Sequence, residues 1–317
     1  MFSNLKKVEL HLHLDGSVRV STVEELLNEK NLSDKMMVNS NTNSLTDYLT
    51  KFDLPIKVMQ SKENLIRISK ELVEDLEKDN VIYAEIRFAP ILHTNNGLTL
   101  DEVVSSVLEG LNNDKVKTNL ILCMMRNLSY EDNKKVIDLA IKYKNNGVCA
   151  IDLAGDESKY PTSMFKELFD YANTNGVLFT IHAGEAGTTK DIYNAINYGA
   201  KRIGHGIKAI ENIEIINLLK EKQIPLEICP TSNIQTCVID SYKNHPIKRL
   251  YDNNILVTVN TDNRTVSNIT LSKEYELLSK IFDFKEKDFK KMNITAINKS
   301  FLNKNEKEIL LKKLTQI

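Results

Sequence analysis

Eight short apolar runs, most of them followed by a stretch of helical periodicity, constrain the fold of this chain more than any other feature. They read KVELHLHL (7–14), VIYAEIRFAP (81–90), TNLILCMM (118–125), VCAIDLAG (148–155), VLFTIHAGE (177–185), RIGHG (202–206), PLEICP (225–230) and ILVTVNTD (255–262). Rich in Val, Ile and Leu, they have the character of strands buried on both faces. Between them, LTLDEVVSSVLEGLNN, NKKVIDLAIKYKNN, PTSMFKELFDYANTN and NIEIINLLKEKQ repeat apolar residues at helical spacing. Asp, Ser or Thr near their starts, and Asn or Gly at several ends, fit helix caps. Eight strand–helix units in about 260 residues fit a closed (β/α)8 barrel better than an open doubly wound sheet.

One interval breaks the rhythm. Residues 15–80 separate the first two strands and hold at least two helical patterns, including SKENLIRISKELVEDLEKD. An insertion after a strand sits over the catalytic end of a barrel, so the segment of about 18–80 is expected to form a lid, with apolar gate residues in YLTKFDLPIKVMQ. Beyond the eighth strand, LSKEYELLSKIFDF and NEKEILLKKLTQI read as amphipathic helices that close the barrel. With no linker or repeat to divide it, the chain is expected to form a single domain over 1–317.

Composition excludes whole classes of partner. The 42 Lys and Arg residues balance 43 Asp and Glu, which leaves no electrostatic case for nucleic acid or an anionic membrane. No apolar run approaches the roughly 20 residues that cross a bilayer. The first ten residues lack the pattern of a secretory leader, so a cytoplasmic location is expected. Cys123, Cys149, Cys229 and Cys237 are far apart and form no CxxC pair, which reads as core filling in a reducing compartment.

Polar groups gather where a barrel places its chemistry, at the carboxyl ends of strands. In the first strand His11, His13 and Asp15 alternate with Leu, so they share one face, opposite Val8, Leu10, Leu12 and Leu14. Taken alone, that stretch also suits an edge strand with a wet polar face. The fifth strand ends in His182-Ala-Gly-Glu185, the sixth holds Gly204-His205-Gly206, and the eighth ends in Thr261-Asp262-Asn263. Four of the six histidines thus fall at strand ends, while His93 and His245 look like ordinary loop residues. Zinc takes His and Asp ligands and leaves a position for water in catalytic sites. His11, His13, His182 and Asp262 would supply three imidazoles and one carboxylate. The fourth strand ends in Asp152-Leu-Ala-Gly155 without the lysine that bridges two metals in many barrel hydrolases, so one Zn2+ per chain is expected. Glu185 and His205 remain for proton work.

The ordered set VELHLHLDGS, IDLAGDE, IHAGE, RIGHG, ICPTSN and VNTDN, continued by NITAINKSFLNKNEKEILLKKL, resembles the adenosine deaminase family over nearly the whole chain. The resemblance implies a metal-dependent (β/α)8 hydrolase in which zinc-bound hydroxide attacks C6 of adenosine, and also of 2′-deoxyadenosine, to give inosine and ammonia in purine salvage. It implies zinc ligation by His11, His13, His182 and Asp262. It makes Glu185 the proton donor and His205 the group that steers the hydroxide. Asp15 then meets the ribose side and Gly155 the purine ring. His13, besides ligating, borders the substrate. The family often reads TDD where this chain has Thr261-Asp262-Asn263; an amide at Asn263 can still meet N7 of the purine by donating from its NH2.

The rival readings are deamination of adenine or of a 5′-modified adenosine, and a barrel that binds without catalysis. Related adenine deaminases tend to carry Glu at the position of Asp15, and no arginine cluster is set for a phosphate. The H-x-E…P-C-x-x-C signature of cytidine-type deaminases is absent. The expected partner is therefore a small purine nucleoside, with no nucleic acid and no membrane, acted on by a monomer or weak homo-oligomer.

Overall fold

A computed structural model describes residues 2–39 and 45–315. Its eight strands are β1 (Lys7–His13), β2 (Val81–Phe88), β3 (Lys117–Met125), β4 (Val148–Ala154), β5 (Thr180–Ala183), β6 (Arg202–His205), β7 (Leu226–Ile228) and β8 (Val257–Val259). All pair in parallel and in sequence order within two four-stranded sheets. Bridges between Ile151 and Phe179 and between Leu12 and Asp262 join the sheets at both seams, which closes the barrel. Closure removes every free edge. It also sets β1 directly beside the segment that follows β8.

The helices form where their apolar stripes face the barrel. In Lys62–Lys78 the buried positions Leu65, Ile68, Leu72 and Leu76 recur every three or four residues, and the Ser61 hydroxyl caps the first turn by accepting from the Asn64 amide at 3.2 Å. Between β1 and β2 the chain also forms the helices Val20–Leu27, Ser33–Met36, Leu45–Leu49 and Asp53–Val58. After β8 come Leu271–Phe282, Glu286–Lys299 and Lys304–Thr315, of which the middle one was not among the segments read from periodicity. Among the described residues, no helix is long and apolar enough to cross a membrane.

Strict alternation along β1 does not hold. Glu9 pairs with Ala84 and Leu12 with Ile86, so β1 carries one more residue than β2 between those points. This bulge shifts the phase of the side chains. Val8 and Leu10 join an apolar cluster with Tyr83, Ala296, Ile297 and Leu302, whereas Leu12 and Leu14 belong to the main core. The four residues expected on one face are therefore split into two pairs.

His93 and His245 are not ordinary loop residues either, for both are buried. The Nδ1–H of His93 donates to the Met59 carbonyl at 3.1 Å, tying the middle of the insertion, between helices Asp53–Val58 and Lys62–Lys78, to the segment after β2.

Candidate active site

Two neighbouring backbones build the floor of the site. The His13 amide donates to the Asp262 carbonyl at 2.7 Å, and the Asp262 amide donates to the His11 carbonyl at 3.1 Å. That ladder brings Asp262 to the two histidines of β1. His11 Nε2 lies 3.2 Å and His13 Nε2 3.4 Å from Asp262 Oδ1, while His182 Nε2, from β5, lies 3.3 Å from His13 Nε2. The four ligand atoms all fall within 4.8 Å of one another. Asp262 and His205 both hold positive φ, near 60°, a strained backbone for non-glycine residues of the kind that clusters at functional sites.

The donor set fits a metal ion. His11 Nδ1 is 2.9 Å from Glu227, and His182 Nδ1 is 2.8 Å from Asp152. Glu227 accepts from the Nδ1–H of His11 and so turns its Nε2 lone pair inward, and the charge of Asp152 beside His182 favours hydrogen on Nδ1 there as well. His11 Nε2 is buried without a hydrogen-bond partner and faces a carboxylate oxygen. Lone pairs aimed at one another repel unless a cation stands between them. Burial pushes His13 and His182 below the usual imidazole range, which keeps them neutral and able to ligate. His11, His205, Cys229 and Asp262 also converge, but burial holds the Cys229 thiol well above its ordinary range, and a neutral thiol is a poor ligand.

Above the floor opens a cavity of about 400 Å³. His13, Asp15, Gly155, His182, Glu185, His205, Asp262 and Asn263 all line it, so every candidate side chain or backbone borders one space except His11, which lies beneath. Glu185 stands just past β5, and burial together with the Asp262 carboxylate pushes it up to about 8. Its Oε1 accepts from Asn233 Nδ2 at 3.0 Å and from the Thr236 hydroxyl at 3.3 Å, so the proton falls on Oε2. His205 Nε2 lies 3.6 Å from that oxygen. Asn233 Nδ2 also donates to His205 Nδ1 at 3.0 Å, which fixes the tautomer with hydrogen on Nε2. Burial raises Asp15 to about 7. Tyr48, Leu49, Phe52 and Ile56 of the insertion form an apolar wall of the same cavity.

The family model described as adenosine deaminase matches residues 6–317. This chain belongs to the adenosine deaminase family. It is 46% identical to an adenosine deaminase of Clostridium acetobutylicum, over 98% of this chain and 97% of that protein. Among solved structures it is similar to an Arabidopsis N6-mAMP deaminase, with a TM-score of 0.89 at 30% identity, covering 99% of this chain and 98% of that one. An adenine deaminase of Arthrobacter aurescens superposes equally well, with a TM-score of 0.89 at 25% identity and 98% of each chain covered.

Three features of this family member escape a reading along the sequence. Arg87 of β2 is fully buried and joins the two carboxylates behind the histidines, donating to Asp152 at 2.7 Å and to Glu227 at 2.9 Å. Arg202 reaches Glu227 and Glu85 at 2.5 Å each. A Glu inside PLEICP and an Arg inside VIYAEIRFAP were the available signs, since charges in such runs demand partners.

Glu157, within IDLAGDE, accepts backbone amides of Gly184 at 2.6 Å, Glu185 at 3.0 Å and Gly187 at 2.8 Å. It therefore holds the turn that carries Glu185. His245 completes the support of Asn233: its Nδ1 accepts from the Ile247 amide at 3.1 Å, and its Nε2–H donates to Asn233 Oδ1 at 3.2 Å.

Gly16 shows how closely the wall is packed. A Cβ at that position would come within 1.8 Å of Asn263 Oδ1. Gly16→Ala is expected to destabilise the fold by about 1–3 kcal/mol through overpacking and to displace Asn263. Urea unfolding checks the first effect; an unchanged midpoint would show that the wall yields.

Proposed function

We propose that this protein hydrolytically deaminates adenosine and 2′-deoxyadenosine at C6, giving inosine or 2′-deoxyinosine and ammonia. The observation that carries the reading is geometric: the Glu185 carboxyl group lines the same cavity as the cluster of His11, His13, His182 and Asp262 at its floor, in a buried setting that pushes its pKa up. Zinc held by those four residues would supply a nucleophile by lowering the pKa of water from 15.7 to about 7.

The chain's own residues do the rest. As C6 becomes tetrahedral, N1 of the ring must take a proton, and Glu185 Oε2 carries one. Water contributes oxygen to C6, the C6–N bond breaks, and the amino group leaves with added hydrogen as ammonia. His205, with its hydrogen on Nε2, orients the attacking oxygen by donating to it. Asp15 meets the ribose hydroxyls, the Gly155 backbone meets the ring, and Asn263 faces N7. Gly155 lies at φ +102, where a side chain would be strained. The insertion of about 18–80 acts as a lid on a single domain, with Tyr48, Leu49, Phe52 and Ile56 against the substrate.

A nucleoside suits the cavity better than a nucleotide. Among its described lining residues Lys159 is the one Lys or Arg, and Asp156 neutralises it at 3.0 Å. The deciding assay is ammonia release from adenosine, 2′-deoxyadenosine, adenine and AMP, with and without a chelator. Turnover of the two nucleosides that chelation abolishes is expected; activity on none of the four, or full activity without metal, would overturn the reading.

The pH profile gives a second check. Glu185 donates only while protonated, so kcat falls as pH rises through its pKa. Burial sets that point at about 8, and a nearby cation lowers it. The alkaline limb is therefore expected at or below about 8. A rate that stays flat to pH 10 would remove Glu185 as the acid.

A further inference from the structure

The two groups assigned to proton work meet at one amide. Asn233, on helix Pro230–Gln235, gives one Nδ2 hydrogen to Glu185 Oε1 and the other to His205 Nδ1, each at 3.0 Å. Its Oδ1 lies 3.2 Å from His245 Nε2, and His245 Nδ1 lies 3.1 Å from the backbone nitrogen of Ile247. Asn233, His205 and His245 are all buried. Neither Asn233 nor His245 is among the described residues that line the cavity.

Turned end for end, the amide would offer its oxygen to Glu185 and His205 and its NH2 to His245. The side chains by themselves allow both directions. An imidazole can carry its hydrogen on either nitrogen, and a carboxylic acid on either oxygen. The Ile247 amide removes that freedom. A backbone N–H only donates, so His245 Nδ1 must accept. Burial pushes His245 down to about 3, which leaves it a single hydrogen, on Nε2. That hydrogen goes to Asn233 Oδ1, and both hydrogens of the NH2 then point at Glu185 and His205.

Reversal would disarm both groups at once. Facing the Asn233 oxygen, His205 would carry its hydrogen on Nδ1, and its Nε2 would change from a donor to a lone pair. Glu185 would have to donate from Oε1, which leaves Oε2 without the proton that N1 takes. We propose that His245 is a positioning residue of the reaction: anchored by the Ile247 backbone amide, it sets the direction of the Asn233 amide and, through it, the hydrogens on His205 Nε2 and Glu185 Oε2. The inference rests on the proposed deamination of purine nucleosides. It gives the segment after β7 the task of holding acid and imidazole in register with each other.

The test reads imidazole tautomers by nitrogen NMR of the zinc-loaded, histidine-labelled protein, beside steady-state rates with adenosine. Wild type is expected to show hydrogen on Nε2 in both His205 and His245; hydrogen on Nδ1 of either would overturn the proposal before any variant is made. His245→Met puts a weak acceptor with no hydrogen to give beside Asn233. Hydrogen on His205 Nδ1 is then expected to appear. An imidazole held wholly in the wrong tautomer costs about 10⁴-fold, so a partial reversal should lower kcat by about tenfold or more, with KM moving less than about twofold. His245→Gln, whose NH2 can stand in for the Nε2 hydrogen, is expected to recover part of both. An unchanged His205 tautomer, an unchanged kcat, a loss carried by KM, or equal losses in the two variants would overturn the role of His245. Rates are counted per metal-loaded site, so a loss of stability alone moves neither tautomer nor kcat. A wild-type protein that releases no ammonia from adenosine overturns the deamination reading and this role with it; an active wild type with an unchanged tautomer in His245→Met overturns only the latter.

Discussion

Glu185→Gln is expected to keep the metal and the fold while turnover of adenosine falls by about 10²–10⁴-fold, the usual worth of a positioned general acid. Gln has the same shape, and its oxygen can still accept from Asn233 and Thr236, which now hold Glu185 Oε1. Its NH2 would then face the substrate where Oε2 stands. An amide can hydrogen-bond to N1 but cannot give up a proton to it, so KM should change far less than kcat. The alkaline limb of the pH profile should vanish with the carboxyl group. Metal content measured alongside the rates separates this outcome from loss of the cofactor. Near-normal turnover would remove Glu185 from the chemistry.

The second large effect is expected at Arg87, which touches no substrate. Its guanidinium lies between Asp152 and Glu227, and all three side chains are shut off from solvent. Arg87→Met removes the charge that balances two buried carboxylates. Breaking a buried ion pair from one side costs about 3–5 kcal/mol, because the remaining charge has lost its partner. The same carboxylates set the orientation of His11 and His182, so metal affinity should fall by about 10–100-fold as well. Arg87→Lys should rescue little, since one ammonium cannot span two carboxylates as a fork does. Denaturant unfolding of the metal-free protein reads the first effect, and competition with a metal indicator reads the second. Unchanged metal affinity in a destabilised Arg87→Met protein would confine Arg87 to the core.

The candidate site was legible in the sequence where its logic is local. A histidine at a strand end, or a Glu three residues after His182, announces itself by spacing once the runs are recognised as barrel strands. The barrel then brings those ends to one mouth, whatever the details of packing. The phase of β1 before His11 was not legible, because the bulge between Glu9 and Leu12 arises from pairing with β2. His245 looked ordinary for a similar reason: its partner Asn233 becomes its neighbour only through the fold of the segment after β7.

The sequence by itself therefore determined the parallel barrel, the four residues that converge at the candidate metal site, and the carboxyl and imidazole groups beside them. Periodicity and strand-end position are properties of short stretches, and eight repeats of them favour a closed barrel over an open sheet. Tertiary structure decided which groups stand behind and around the site. Arg87 meets Asp152 across 65 residues and Glu227 across 140, and Tyr48 meets Asn263 across 215. Such contacts depend on strand register, on a bulge and on how the insertion packs over the barrel. Those are set by burial and hydrogen bonding throughout the molecule, and no single segment encodes them.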